Sequence, residues 1–329
     1  ELRSPATMTT HHLAACLLAA LLIAVHSHAS SSPYLSPTTF HINYQNMLRS
    51  FRIYAYTLNL TATATDSSSA FTSLLLSSPF LTHDPEEAHL FFLPVPDLPT
   101  RSLARVIKDL RAFLPFWNRT LGADHFHFSA SGLGFESDRN LVELKKNSVQ
   151  LSPFPAPAGR FIPHKDITLP PHAPSHAPTN SNRTRLNLCY AVSATENDAG
   201  CVDAPSDLAG GEFCVFRYGG DFTRLADALG AGCVPVVVTD WPMQDLPLMD
   251  VVRWEEIAMF LGPGEGRLRG AMERARGGGA CERMRRVGVE ASRHFAWNDP
   301  PQQYDAFYMV MYELWLRRHT IRYARREFI

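Results

Sequence analysis

Between Phe213 and Asp240 the residue types and their spacing suit the capture of an anion. Phe213-Cys214-Val215-Phe216 reads as a strand and Arg217-Tyr218-Gly219-Gly220-Asp221 as the loop at its carboxyl end. Thr223 to Ala231 follows as a short helix, and Val234 to Thr239 as a second strand ending in Asp240. In open α/β sheets ligands bind outside the carboxyl ends of the strands, and a helix N-terminus offers unpaired N–H groups and a positive dipole to a phosphate. Gly219 and Gly220 permit close backbone approach. Arg224 and Asp227 stand three residues apart on one helix face, where a guanidinium can hold a diphosphate and a carboxylate can accept from ribose hydroxyls. The same spacing describes an ordinary surface ion pair worth about 0.2–0.5 kcal/mol, so spacing alone leaves both readings open.

Other chemical signatures are missing. There is no G-x-G-x-x-G, P-loop, G-x-S-x-G or H-E-x-x-H, which removes sequence support for dehydrogenase, NTPase, serine hydrolase and zincin chemistry. No two aspartates are separated by one residue and no cysteines form a C-x2-C pair, so no metal site is expected. Of the six cysteines, Cys16 lies in an apolar N-terminal stretch. For Cys189 and Cys201 a bridge and two buried free thiols both fit.

The elements that must position the loop come from a chain of 329 residues, about two domains' worth, with 45% hydrophobic and 19% charged residues. Thirty-one Lys and Arg against 32 Asp and Glu leave a formal charge of -1, so no global field draws the chain onto nucleic acid, and a charged ligand must meet a local site. Phe51 to Tyr56 and Ala88 to Val95 read as strands, about Ala70 to Leu76 and Ser102 to Phe116 as helices, the last closed by Pro115. That alternation is the rhythm of an α/β layer. Eight prolines between Pro153 and Pro178 exclude a continuous helix, which places an interdomain connection at 152–186, between an N-terminal unit over 31–151 and a C-terminal unit over 187–329. Helical patterns around Arg267 to Ala275, Cys281 to His294 and Gln302 to Arg318 complete the chain. Ahead of all this, Leu13 to Val25 is an unbroken apolar run within residues 1–30. It reads as a signal peptide cut near Ala29 or as a retained signal anchor, a buried core helix being the plainer alternative. Sequons at Asn59, Asn118 and Asn182 suit a glycosylated lumenal protein.

Five ordered blocks carry a resemblance. They are Asp84 to Pro94 (DPEEAHLFFLP), Phe116 to Phe126 (FWNRTLGADHF), Lys145 to Ser148 (KKNS), Pro163 to Pro170 (PHKDITLP) and the long block from Phe213 to Phe260. Spread over about 210 residues, they resemble the exostosin family, glycosyltransferase family 47, and in particular its plant cell-wall members.

The resemblance implies a GT-B architecture of two facing Rossmann-like domains in the Golgi lumen behind an N-terminal membrane anchor. It also implies inverting transfer from a nucleotide-sugar donor, a UDP-sugar, to a cell-wall polysaccharide or other glycan, with no further cofactor. On it, Arg217, Tyr218, Gly219, Gly220, Asp221, Arg224, Asp227 and Asp240 hold the donor, Asp245 lines the same cleft, and Asp124 and His125 shape the acceptor side or supply the base. The plainer reading of Asp124 and His125 is a hydrogen-bonded structural pair at a strand end. Two departures stand out: Ser129 to Glu136 lacks the H-D-W common after D-H-F, and Asn187 to Glu212 is shorter than the family stretch that supplies the first strand and helix of the second domain. That shortening motivates one alternative, a catalytically silent homologue within a transferase complex; the signal-peptide-like N-terminus motivates another, a secreted carbohydrate-binding protein released at Ala29.

Overall fold

The computed structural model describes residues 32–57, 66–95, 100–134, 136–172, 213–240 and 242–326. The apolar run at Leu13–Val25, the sequons at Asn59 and Asn182, the Cys189 and Cys201 pair and the short Asn187–Glu212 segment lie outside the described residues.

Two parallel sheets organise the chain. The first has six strands in the order β2-β1-β3-β4-β5-β6, namely β1 Ile53–Ala55, β2 Leu81–Thr82, β3 Leu90–Leu93, β4 His125–Phe128, β5 Val149–Pro153 and β6 Ile167–Leu169. The second, among the described residues, has three strands in the order β7-β8-β9: Phe213–Arg217, Val234–Val238 and Met259–Leu261. Parallel strands need both faces covered, and their sequences accordingly run apolar without alternation, as in Leu-Phe-Phe-Leu of β3 and Val-Pro-Val-Val-Val of β8.

Nine helices are described: α1 Pro37–Ser50, α2 Asp66–Leu76, α3 Thr100–Phe113, α4 Pro115–Thr120, α5 Arg139–Asn147, α6 Leu225–Gly230, α7 Glu265–Gly277, α8 Ala280–Ala291 and α9 Ala306–Arg326. The expected helix over Ser102–Phe116 is two helices. Pro115 does not close one but opens the next, since at N1 its missing N–H costs nothing and its φ is already helical. Asp138 caps α5 by accepting from the N–H groups of Asn140 and Leu141.

The expected connection at 152–186 begins too early. β5 runs to Pro153 and β6 lies wholly within 152–186, so the first sheet extends to Leu169; Pro153 ends β5 and Pro170 follows β6, positions where a missing N–H is tolerated. The two sheets share a core beside smaller apolar clusters of their own. The largest apolar cluster joins Phe40, Phe51, Phe92 and Phe126 of the first half to Leu225, Trp254, Phe295 and Met311 of the second. α9 returns from the second half to pack on β6 and α1, and its Arg317 donates to the Lys165 and Asp166 carbonyls and pairs with Asp250 at 2.9 Å. Cys214 and Cys233 form a disulfide between β7 and the turn before β8, with Cα atoms 5.8 Å apart, a pair the spacing did not single out. No helix among the described residues is long and apolar enough to cross a membrane.

Candidate active site

The W-N-R-x-x-G-x-D-H-F block is a packed corner. α4 ends in a left-handed residue, Leu121 at φ 51°, followed by Gly122 at φ 83°. A Cβ on Gly122 would stand 2.5 Å from the Trp117 ring, so only glycine lets the indole lie there. The turn delivers Asp124 and His125 to the amino end of β4, where both are buried. His125 Nδ1 donates to Asp124 at 2.8 Å, and its Nε2 therefore accepts from the Tyr56 hydroxyl, also at 2.8 Å. Phe91 stacks on the imidazole and Trp117 meets it edge-on. Burial holds the His125 pKa below the usual imidazole range despite the carboxylate. With both nitrogens used and no exposed surface, the pair has the geometry of the structural reading and not of an accessible base.

The other N-terminal blocks also end in the interior. Asp166 is a buried hub: Lys165 donates to it, Lys145 stands 3.6 Å away, and it accepts from the N–H groups of Gln150 and Ile162. Lys145 and Lys165 further donate to the carbonyls of Arg160 and Ser148. At the surface, Glu86 of the first block pairs with Arg119 of the second at 3.1 Å.

The carboxyl edge of the second sheet is the reverse. β7 pairs with β8 in the register Arg217↔Val238, so Arg217–Asp221 and Asp240 emerge at the same end. Arg217, Gly219, Gly220, Asp221, Arg224, Asp227 and Asp240 are all exposed. Gly219 takes φ 84°, and a Cβ on Gly220 would press on the Arg217 carbonyl at 3.0 Å, which explains the glycine pair. Asp221 accepts from the Thr223 N–H and tightens the loop. α6 begins at Leu225 and has only six residues, so Arg224 caps it from outside; a helix this short supplies little dipole, and the guanidiniums become the main positive charge of the edge. No ion pair joins Arg224 to Asp227 among the described residues, which leaves both side chains available to a ligand.

Two anchors fasten this loop to the first half. The Tyr218 hydroxyl donates to Asp245 at 2.9 Å, Asp245 accepts from the Ala156 N–H at 2.8 Å, and the Thr168 hydroxyl donates to the Asp245 carbonyl. Burial pushes the Asp245 carboxyl above its usual range. Phe222, buried, stacks on Phe216 and meets Phe154 edge-on at 4.8 Å. Between the loop and the first half lies a pocket of about 240 Å³, lined by Gly220–Thr223, by Pro153 and Phe154 at the end of β5, by Leu169–His172 at the end of β6, by Trp297 and by one side of α2. Pro153, Phe154, Pro170, Pro171, His172 and Trp297 were not expected as site residues. The first five lie in a proline-rich stretch that reads equally well as a linker, and Trp297 carries no such signal.

The pocket thus sits where the carboxyl edges of two parallel sheets meet. Residues 43–199 match the exostosin GT47 domain. A probable glycosyltransferase of Arabidopsis thaliana is 22% identical over 353 aligned positions, covering 88% of this chain and 66% of that protein. The probable glucuronosyltransferase GUT1 of Oryza sativa subsp. japonica is 27% identical, over 57% of this chain and 58% of that protein. The probable beta-1,4-xylosyltransferase IRX10 of Arabidopsis thaliana is 26% identical, over 57% and 59%. The chain spans about two thirds of the length of the first of these relatives. Since 88% of 329 residues is about 290, about 60 of the 353 positions have no counterpart here. The matched domain contains the first four ordered blocks, and the chain is similar to the exostosin GT47 domain and to plant proteins named as probable glycosyltransferases.

Proposed function

We propose that this chain is an inverting glycosyltransferase that moves a sugar from a nucleotide-sugar donor, a UDP-sugar, to a cell-wall polysaccharide, with the two sheets acting as the facing halves of a GT-B enzyme. The observation that carries the reading is the exposed set of Arg217, Arg224, Asp227 and the glycine loop, which the Tyr218–Asp245 anchor fastens and whose Gly220 and Asp221 line the pocket. Arg224 and Arg217 meet the diphosphate, whose negative charge grows as it leaves, and Asp227 accepts from ribose hydroxyls. In the transfer an acceptor hydroxyl oxygen bonds to the anomeric carbon as the bond to the diphosphate breaks, and the hydroxyl proton passes to a base. Asp221, the one carboxylate among the pocket-lining residues, takes that role in place of the buried Asp124–His125 pair.

The lumenal address of a type II Golgi protein, anchored through Leu13–Val25, is part of the same proposal. It is supported by the Cys214–Cys233 disulfide, since such bonds persist outside the reducing cytosol. Asn118, an exposed sequon, donates its side-chain amide to the Arg111 carbonyl at 2.8 Å.

Titration of UDP by calorimetry tests the donor site. Arg224→Ala loses about 1.5–3 kcal/mol of binding and Asp227→Asn less, because an amide still meets a hydroxyl. Unchanged affinity in both variants, with folding intact, would sink the donor assignment. The silent homologue is a second reading, favoured by the roughly 60 positions this chain lacks against its relative; UDP binding without turnover on any UDP-sugar would select it.

A further inference from the structure

The pocket has two chemically distinct walls. Gly220–Thr223 supply a carboxylate and a hydroxyl, the Gly220 and Thr223 N–H groups being taken by the Arg217 carbonyl and Asp221. The wall from the first half and Trp297 is of another kind: Pro153, Pro170 and Pro171 have no N–H to donate, and Phe154 and Trp297 present aromatic carbon. Its one titratable side chain, His172, has its pKa held below the ordinary value by partial burial. Nothing on this wall meets a diphosphate. The Trp297 indole N–H donates to the Pro170 carbonyl at 3.0 Å and His172 lies edge-to-face with the same ring at 5.6 Å, so Trp297 ties the three residues together.

We propose that this wall is the acceptor-saccharide subsite, taking one pyranose ring of a glycan chain against Trp297, His172 and Pro170. A sugar ring has hydroxyls at its rim and faces rich in C–H bonds. Those faces are weakly positive and are drawn to the negative face of an aromatic ring, while proline rings offer apolar contact without demanding a hydrogen bond. A pocket of about 240 Å³ falls below the roughly 300–1,000 Å³ of sites that enclose a whole ligand, and so suits one ring of a chain that continues into solvent. The rim hydroxyls find His172, Thr223 and Asp221. The subsite rests on the reading of the cleft as the place of transfer, because it sets the acceptor against the loop assigned to the donor.

The test titrates β-1,4-xylotetraose, cellotetraose and UDP separately into the wild-type protein and into Trp297→Phe, Trp297→Leu and His172→Ala, with thermal melting to verify folding. The expected result is an oligosaccharide affinity that falls at least tenfold in Trp297→Leu, about threefold in His172→Ala and least in Trp297→Phe, with UDP affinity unchanged. Oligosaccharide affinity that ignores all three substitutions overturns the subsite. So does a loss confined to UDP, or a wild-type protein that binds UDP and neither oligosaccharide. Trp297-dependent oligosaccharide binding without any UDP binding leaves the subsite standing and removes the transferase reading, and loss of both ligands together in folded variants overturns the separation of the walls.

Discussion

The two sheets carry their characteristic residues in opposite ways. In the first, the signature side chains point inward: Asp124, His125, Lys145, Lys165 and Asp166 are all buried, and each is held by partners in the protein. In the second, Arg217, Asp221, Arg224, Asp227 and Asp240 stand in solvent at the strand ends. A recognisable motif therefore has two physical origins. Charges sealed in an interior are restricted because removing one strands the others, whereas charges at a sheet edge are restricted by what they must bind. Titratable residues in a motif cannot be assigned to chemistry until their burial is known.

This contrast can be broken by substitution, and the largest effect is expected at Asp166. Asp166→Ala strands Lys145 and Lys165 in the interior and should cost about 3–5 kcal/mol by chemical denaturation. A loss under 1 kcal/mol would mean that the hub is not structural and would reopen a chemical role for these lysines.

A smaller effect, with a pH signature, is expected at Glu313, which is buried on α9 with one carboxylate oxygen lacking a partner and its pKa pushed up to about 8 by burial. The folded protein holds this proton more tightly than the unfolded chain does. The associated stability is therefore complete below the usual carboxylate range and is lost as pH rises toward and through about 8. Glu313→Gln should remove that decline and stabilise the protein at pH 7 by about 2 kcal/mol. Parallel stability curves for the two proteins between pH 4.5 and 8 would contradict the burial of the charge.

The smallest effect on stability is expected at the second sheet's edge. Arg224→Ala and Asp227→Ala should each change unfolding free energy by less than about 0.5 kcal/mol, as exposed side chains without ion-pair partners do. Melting curves decide this. A shift beyond about 1 kcal/mol would place these residues with the structural set and erase the contrast between the sheets.

Short apolar runs and helical spacing located β1, β3, β7, β8 and the helices that follow them, because burial of a parallel strand or of one helix face is written directly into local residue types. β4 escaped that pattern. His125-Phe126-His127-Phe128 alternates like a half-exposed strand, yet all four residues are buried, His125 being held by Asp124 and Tyr56 and His127 by Ser148 through Nδ1 alone, its Nε2 lacking a hydrogen-bond partner. β6 was hidden among prolines that read as a linker. The glycine loop with its arginines and aspartates was legible, as was the resemblance to the exostosin family, since both rest on residues contiguous in the chain. The role of Asp124 and His125 was not legible, because a buried pair and an exposed one have the same letters.

By itself the sequence determined the α/β class, the family resemblance and the loop of the second sheet, since each depends on local patterns of residue type and on turn chemistry. Tertiary structure alone decided which charges are sealed and which are free, and that the ends of β5 and β6 meet Gly220–Thr223 and Trp297 around one pocket. Those facts rest on contacts between residues more than 60 positions apart, such as Ala156 with Asp245 and Pro170 with Trp297. No local spacing encodes such contacts; they follow only when the return of α9 and the shared apolar core bring the two sheets together.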